Sequence, residues 1–261
     1  MGLEIMDDVR KDSVRNRISE GYREGDRDFR EYREISIEKD VAMKAEGSAR
    51  VKIGNTDVLV GVKLDLGEPF SDSPAVGVII TNAELVPLAS PEFESGPPNE
   101  KSIQLARVVD RGIRGSETVD LEKLCIVEGE KVWIMFIDIH VLDNGGNLVD
   151  AAALGAIAAL QNARVPNERY DLTGDDTLSV RDTPLAVTMV EIEGNILVDP
   201  DCNEENAATS KLTVISNADG SLSGLQKSGS DSMTEETILE MVEIGIEKAG
   251  EIREKFLKTP S

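Results

Sequence analysis

The spacing of hydrophobic residues changes along the chain, and each change predicts a new element. Apolar side chains at helical intervals, among them Val14 and Ile18, predict an amphipathic helix over Leu3–Tyr22. From Ile35 apolar and polar positions alternate, which is typical of half-buried strands. The Gly54-Asn55 pair suits a tight hairpin turn, because both residues accept a positive φ. The alternation predicts four extended segments: Val41–Ala45, Ala49–Ile53, Val58–Leu64 and Val76–Leu88.

The middle of the chain is more continuously apolar. Val132–Leu142 is apolar at nearly every position, which predicts a strand covered on both faces. Leu148–Asn162 is rich in Ala and Gly and predicts a helix whose small side chains let it pack close to a sheet. The polar stretch Pro166–Pro184 is interpreted as a connection between two halves.

The second half repeats the order of the first. Four strands are predicted, in two hairpins: Leu185–Glu193, Ile196–Asp199, Lys211–Ser216 and Leu222–Gln226. A helix over Thr234–Lys258 follows, and acidic residues in its first turn face the positive end of the helix dipole. Hairpins followed by helices, twice, predict an α+β fold with an internal pseudo-repeat. We expect three parts: an N-terminal helix and extension (1–30), a first half (31–166) and a C-terminal half (185–258).

The segment from Asn99 to Arg114 predicts a helix with a charged stripe. Pro97 and Pro98 end the preceding segment, and Asn99 can cap the first turn by accepting a backbone N–H. Four apolar side chains share one face and are expected to be buried: Leu105, Val108, Val109 and Ile113. The other face carries three arginines, at i, i+4 and i+7: Arg107, Arg111 and Arg114.

This arginine stripe has two interpretations. The planar guanidinium group matches two anionic oxygens at once, so a row of three suits phosphate. Alternatively, Asp110 lies one turn from both Arg107 and Arg114 and can pair with either. Such pairs are common on helices, so spacing alone favours a solvated face with ion pairs.

Composition makes the stripe stand out. The 261 residues include 28 Lys and Arg against 50 Asp and Glu, a formal charge of −22. A surface this acidic repels nucleic acid and anionic membranes, so any RNA contact requires a local basic patch or a basic partner. The hydrophobic fraction of 40% indicates a globular protein. Two cysteines without metal-ligand spacing, an acidic start and no long apolar run favour a cytoplasmic protein.

The sequence lacks the residues that several kinds of catalytic or binding site require. His140 is the single histidine and lies in an apolar strand, which favours a structural role. No Ser-His-Asp or Cys-His pair and no glycine-rich phosphate loop can be assembled. The acidic stretch Asp199–Glu205 has enough carboxylates for Mg²⁺, but in so acidic a chain a solvated loop is the better interpretation. We expect neither a metal site nor a cofactor.

Three segments resemble RNase PH-type proteins, and in particular the non-catalytic ring subunits of the archaeal exosome: Ala45–Val60, Leu85–Pro91 and Leu105–Arg114. The resemblance extends from about Arg27 to the C-terminal helix. It implies the RNase PH fold, which has two pseudo-symmetric halves of the ribosomal protein S5 domain 2-like type. It also implies a hexameric ring, a trimer of heterodimers with a catalytic RNase PH-type partner. Such a ring carries RNA-binding cap proteins and degrades single-stranded RNA from its 3′ end by phosphorolysis.

The chain departs from the active members of this family at three places. Active members hold phosphate on a Gly-Thr-Arg or Gly-Ser-Arg turn, and the matching turn here is Gly145–Asn147. They also carry a carboxylate pair, and the ungapped match puts Glu205 at the first position but Lys211 at the second. Finally, Phe29 stands where a glycine is usual in the segment Arg27–Arg30. The resemblance therefore implies a subunit that has lost its own active site.

The resemblance also changes the interpretation of the arginine stripe. In the non-catalytic subunits, two arginines of the matching segment reach RNA phosphates beside the partner's active site, and they match Arg107 and Arg111. Arg114 has only its helical phase in favour of RNA binding. Two other hypotheses remain at this point. One is a phosphate-dependent exoribonuclease that is active alone through Glu205, and the other is an unrelated α+β protein whose arginines form ion pairs.

Overall fold

The structure is a computed structural model that describes residues 2–257, with side chains from residue 8 onward. The predicted limits Met1 and Lys258 lie outside these residues. The first half contains six strands: β1 (Ile35–Lys39), β2 (Gly47–Ile53), β3 (Thr56–Gly67), β4 (Val78–Leu85), β5 (Cys125–Val127) and β6 (Lys131–Asp143). They form one sheet in the order β1-β2-β3-β6-β4, with β5 also paired to β6. Only the β4–β6 pairing is parallel.

The second half forms a smaller sheet of four antiparallel strands in the order β10-β9-β7-β8. Its strands are β7 (Leu185–Ile192), β8 (Asn195–Val198), β9 (Ser210–Ser216) and β10 (Leu222–Gly229). Five α-helices complete the described chain: α1 (Gly2–Ser19), α2 (Glu100–Gly115), α3 (Leu148–Asn162), α4 (Cys202–Ala207) and α5 (Glu235–Phe256). None of these helices has the length and apolarity needed to cross a bilayer.

The helices α2 and α3 lie between the two sheets, because α3 packs on β2 and β3 on one side and on β7 on the other. The residues 150–160 of α3 are all buried. Gly155 permits the close approach, since a Cβ there would lie 2.8 Å from Cγ2 of Val60. The second sheet has helices on both faces: Ile215 contacts Gly112 of α2, whereas Val214 contacts Gly245 of α5. The core therefore runs through alternating layers of sheet and helix.

Most predicted elements are confirmed within a few residues, including the helix over Leu148–Asn162. The strand predicted over Val41–Ala45 is wrong. The strand there is β1, which pairs with β2 from Ile35 opposite Ile53 to Lys39 opposite Ala49. Asp40 ends it with a φ of 58°, a left-handed conformation that no strand can continue through.

The prediction that Val132–Leu142 is covered on both faces is also wrong. Burial alternates along β6: Met135, Ile137 and Ile139 are buried, whereas Phe136 and His140 are only half-buried. Helix α3 covers one face of the first sheet, and no described helix packs over the middle of the other. Because several outward-facing residues of β6 are also apolar, its hydrophobic pattern did not show the alternation of buried and half-buried positions.

Candidate nucleic-acid interface and the adjacent cavity

Helix α2 begins and packs as its sequence predicts. The side chain of Asn99 accepts a hydrogen bond from the backbone N–H of Ser102 at 3.0 Å and caps the first turn. Glycines on α2 allow close contact with the second sheet, because a Cβ at Gly115 would lie 2.7 Å from the carbonyl oxygen of Ser223. The apolar face is buried as expected: Leu105, Val108, Val109 and Ile113. The buried apolar face thus fixes α2 against the protein and leaves its polar face exposed.

The three arginines of the stripe are exposed but differ in their contacts. The guanidinium group of Arg114 donates to Oδ2 of Asp110 at 2.8 Å and to the carbonyl oxygen of Ile79. Arg111 donates from Nη1 to Oε1 of Gln226 at 3.0 Å. Within residues 2–257, Arg107 has no hydrogen-bond or ion-pair partner. Asp110 therefore pairs with Arg114, and the guanidinium groups of Arg107 and Arg111 keep donors for an anion.

The turn Gly145–Asn147 directs its polar groups inward. The N–H of Gly145 donates to Oγ1 of Thr56 at 3.2 Å, and the N–H of Gly146 donates to Oδ1 of Asn144 at 3.1 Å. Both glycine carbonyls accept hydrogen bonds from Arg33. These two N–H groups, which could otherwise bind phosphate, are thus engaged within the protein.

Neither side chain of an active turn can be added here without rearrangement. Gly146 has a φ of 92°, and a Cβ there would lie 2.5 Å from the carbonyl carbon of Asp201. Asn147 is buried, and its Nδ2 donates to Oδ2 of Asp150 and Oδ1 of Asp199, both at 2.8 Å. The residue that matches the arginine of active members therefore ties the turn to two buried carboxylates.

Glu205 and Lys211 lie side by side in the lining of a cavity of about 490 Å³ between the two halves. Nζ of Lys211 lies 2.9 Å from Oε1 of Glu205, so the carboxylate is already neutralised by a cation. Cys202 lines the same cavity, and burial, with help from Glu205 and Asp201, raises the pKa of its thiol to about 11. At neutral pH this thiol is protonated and a poor nucleophile.

The prediction of a solvated acidic loop over Asp199–Glu205 is wrong. Asp199 is fully buried and binds Arg33, with Nη2 to Oδ1 at 2.7 Å, and Arg27, with Nη1 to Oδ2 at 3.1 Å. Burial alone would raise the pKa of Asp199, but the hydrogen bonds and charge of Arg33 hold it below the usual value. No cluster of possible metal ligands occurs among the described residues.

Glu204, in the same stretch, forms a second buried ion pair. Its Oε1 lies 2.7 Å from Nε of Arg23, and both side chains are almost completely buried. Glu204 also completes a capping box with Asp201 at the start of α4, a helix that the sequence reading missed. The sequence signal for this site was Arg23 and Arg27 in the N-terminal extension and Arg33 just after it. Their partners lie more than 160 positions away.

Asp150 was also missed, although an aspartate in an Ala-rich, buried helix is unusual. Its carboxylate accepts hydrogen bonds from the hydroxyl of Tyr32 at 2.6 Å, from the hydroxyl of Thr188 at 2.7 Å and from Asn147. Burial raises the pKa of Asp150 to about 6, although these hydrogen bonds favour its ionised form. Asp150, on α3, thus joins the segment before β1 to the second sheet.

His140 lies elsewhere, on the half-exposed face of β6. Its Nδ1 lies 3.2 Å from Oε2 of Glu84, its neighbour on β4. It lines a separate cavity of about 600 Å³ together with Arg107, and it does not line the cavity of Glu205 and Lys211. The contact that the structure gives His140 is thus the one with Glu84, away from the cavity of Glu205 and Lys211.

Comparison with known proteins adds the family context. Models of the 3′ exoribonuclease family match residues 31–166 with domain 1 and residues 182–248 with domain 2. The exosome complex component Rrp42 of Methanocella arvoryzae is 53% identical and covers 98% of both chains. Its counterpart from Archaeoglobus fulgidus is 52% identical, over 98% of this chain and 99% of the relative.

Solved structures agree with these relatives. A chain of the Archaeoglobus fulgidus exosome with RNA bound to the active site matches with a TM-score of 0.94 and 52% identity, covering 97% of this chain and 99% of that one. A chain of an archaeal exosome core matches with a TM-score of 0.91 and 48% identity, covering 99% and 100%. Rice Rrp46, at 17% identity and a TM-score of 0.69, covers 90% of this chain and 100% of its own and shares the fold.

Proposed function

Since the chain belongs to the 3′ exoribonuclease family of RNase PH-type proteins, which includes the archaeal exosome components named Rrp42, we propose that it is a non-catalytic ring subunit of a cytoplasmic RNA-degrading exosome. In this proposal a catalytic RNase PH-type partner alternates with it in a hexameric ring that carries RNA-binding cap proteins. The subunit completes the partner's active site and positions single-stranded RNA for 3′-to-5′ phosphorolysis. It needs no cofactor of its own. The hypothesis of an unrelated α+β protein is wrong, because the family matches cover both halves.

The observation that carries the non-catalytic role is the ion pair between Lys211 and Glu205. Phosphorolysis requires inorganic phosphate held in line with the scissile bond, together with groups that stabilise the charge that develops. Lys211 occupies the position of the second carboxylate and neutralises the first at 2.9 Å. The inward turn at Gly145–Asn147 supports the same conclusion, because its bound N–H groups and buried amide are not available to phosphate.

The role in RNA positioning rests on the polar face of α2. Arg107 has no partner within the described chain, and Arg111 has only the neutral Gln226. In a chain with a formal charge of −22, cations without an acidic partner are expected where an anion binds. Arg114 shares the helical phase and remains a third candidate. Its guanidinium group is bound to Asp110 and Ile79, so RNA has to compete with these groups.

The test is degradation of a 3′-labelled oligo(A) in the presence of inorganic phosphate. Three samples are compared: this chain alone, its catalytic RNase PH-type partner alone, and the two assembled. We expect nucleoside diphosphate release only from the assembled ring, or much faster release from it than from the partner. Replacing phosphate with sulfate controls for hydrolytic contamination.

The same assay tests the alternative, a phosphate-dependent exoribonuclease that is active on its own. Release of nucleoside diphosphate by this chain alone would overturn the non-catalytic proposal. In that case Glu205→Gln should abolish the activity, which would identify Glu205 as part of a working site.

A further inference from the structure

Strand β10 supports the side chain of Arg111 at two positions. Gly224 lies directly beside its aliphatic part, since a Cβ at Gly224 would be in van der Waals contact with Cδ of Arg111 at 3.5 Å. Two residues further, on the same face of the strand, Oε1 of Gln226 accepts a hydrogen bond from Nη1 of Arg111 at 3.0 Å. The second half of the molecule thus holds an arginine of the first half.

The amide of Gln226 is itself oriented. Its Nε2 donates to the carbonyl oxygen of Lys227 at 3.1 Å, so the oxygen end of the amide faces Arg111. The distance between helix and strand is also set by close packing, because Gly112 and Gly115 bring α2 against Ile215 and Ser223. An acceptor of defined position therefore meets the guanidinium group.

The acceptor on Gln226 is a neutral amide, so it can orient Arg111 without neutralising it as a carboxylate would. Gln226 uses one of the five N–H donors of Arg111 and leaves the positive charge uncompensated. Asp110 does the opposite for Arg114, since it both orients and neutralises that guanidinium group. Only the first arrangement orders a cation and keeps it fully available to a phosphate.

We propose that Gln226 is a positioning residue that holds the guanidinium group of Arg111 in place for an RNA phosphate. This inference rests on the proposed function, in which Arg111 binds RNA. Gln226 touches no reacting atom, and it acts by reducing the rotamer freedom that Arg111 loses when RNA binds. The effect appears in RNA binding and leaves the chemical step unchanged.

The experiment uses the ring assembled with the catalytic partner and measures KM and kcat for oligo(A) phosphorolysis. Gln226→Ala and Gln226→Glu are compared with the parent, each also in an Arg111→Ala background. Ser228→Ala, two residues further on the same face of β10, is the matched control. Size-exclusion chromatography and Tm establish that each variant assembles and folds.

We expect Gln226→Ala to raise KM roughly two- to tenfold at unchanged kcat, as loss of one ordered side chain implies. Gln226→Glu should raise KM more and reduce the salt dependence of RNA binding by about one phosphate contact, because a carboxylate neutralises Arg111. In the Arg111→Ala background, Gln226→Ala should have no further effect. Ser228→Ala should behave like the parent.

The possible failures are distinguishable. If Arg111→Ala raises KM but Gln226→Ala does not, the positioning role is overturned and the proposed function stands. If Gln226→Ala raises KM equally in both backgrounds, Gln226 does not act through Arg111, and the inference is overturned. If Arg111→Ala itself leaves KM unchanged, the RNA role of Arg111 fails and the positioning role fails with it.

Discussion

Nζ of Lys211 lies 2.9 Å from Oε1 of Glu205, at the place where the resemblance to active RNase PH-type proteins implies two carboxylates. The cavity that this pair lines has a volume of about 490 Å³, and the charges of Lys211 and Glu205 neutralise each other. In the proposed function the missing chemistry belongs to two elements, since the turn Gly145–Asn147 also departs from the turn of active members. This separation leads to the first prediction.

Lys211→Asp restores the second carboxylate and should still leave the isolated chain inactive. Phosphate would lose two donors of the turn, because the N–H groups of Gly145 and Gly146 are already bound. The measurement is nucleoside diphosphate release from oligo(A) by the variant alone. Lys227→Asp, which makes the same charge change on exposed β10, is the control. Phosphate-dependent release by Lys211→Asp would show that the turn is not limiting.

Arg107→Ala should weaken RNA binding by the assembled ring by about tenfold at low salt, because a charge-assisted phosphate contact is lost. The slope of log affinity against log salt should fall by about 0.7, the contribution of one phosphate on a single strand. Fluorescence anisotropy of labelled oligo(A) over a salt series measures both. Arg10→Ala, on α1, removes the same charge from another surface and should leave the slope unchanged. An unaltered slope in Arg107→Ala would exclude the phosphate contact.

Arg114→Ala should affect RNA binding less and folding more. Its guanidinium group pairs with Asp110 and also donates to the carbonyl oxygen of Ile79. The side chain is 45% exposed, so we expect a loss of only about 0.5–1 kcal/mol in the free energy of unfolding. Urea denaturation compares this variant with Arg107→Ala, which should match the parent. A larger effect of Arg114→Ala on RNA affinity than of Arg107→Ala would reverse their assigned roles.

Asp150 should make the protein less stable as pH rises from about 4 to about 6. The folded protein holds this proton up to the raised pKa of about 6, whereas the unfolded chain releases it near 3.8. The folded state therefore binds more protons in this window, and stability falls with rising pH by on the order of 3 kcal/mol, then levels off above pH 6.

Urea denaturation at several pH values tests this dependence. Asp150→Asn should flatten the profile between pH 4 and 6, although burial also raises the pKa of Asp201 and leaves some slope. Asp175→Asn is the control, because the hydrogen bond from the N–H of Thr177 lowers the pKa of Asp175 and confines its effect to lower pH. Parallel profiles for the parent and Asp150→Asn would contradict the assignment.

Arg23→Ala should be the most destabilising of these changes. It removes the nearer of the two cations of the buried Glu204 and leaves only Arg27, whose Nη2 lies 3.6 Å from Oε2. Breaking a buried pair typically lowers the free energy of unfolding by about 3–5 kcal/mol, and Arg27 should keep the loss near the lower end. Arg30→Ala removes an exposed pair of similar length with Glu240, 2.8 Å, and should change stability by less than about 1 kcal/mol. Thermal and urea unfolding of the two variants give the comparison. Equal effects would mean that Glu204 finds another partner or water.

Local pattern was enough to predict the framework. Helices α2 and α3 were predicted because a helical period and a cap at Asn99 are encoded within one stretch. The buried acids could not be predicted from Asp199–Glu205 alone, since their partners are arginines at the other end of the chain. Local spacing also could not decide which arginine Asp110 would bind. The fold decides it, because Thr81 of β4 donates to Oδ1 of Asp110 while Oδ2 meets Arg114.

The buried pairs of Asp199 and Glu204 also bear on where the chain can be shortened. The family match begins at residue 31, but Arg23 and Arg27, which lie before it, neutralise carboxylates in the second half. A truncated chain that starts at the family boundary would leave the buried carboxylate of Glu204 without Arg23 and Arg27, whereas Asp199 would keep Arg33. We therefore expect the part of the chain needed for folding to begin before the family boundary, because the N-terminal extension pairs with and packs on the C-terminal half.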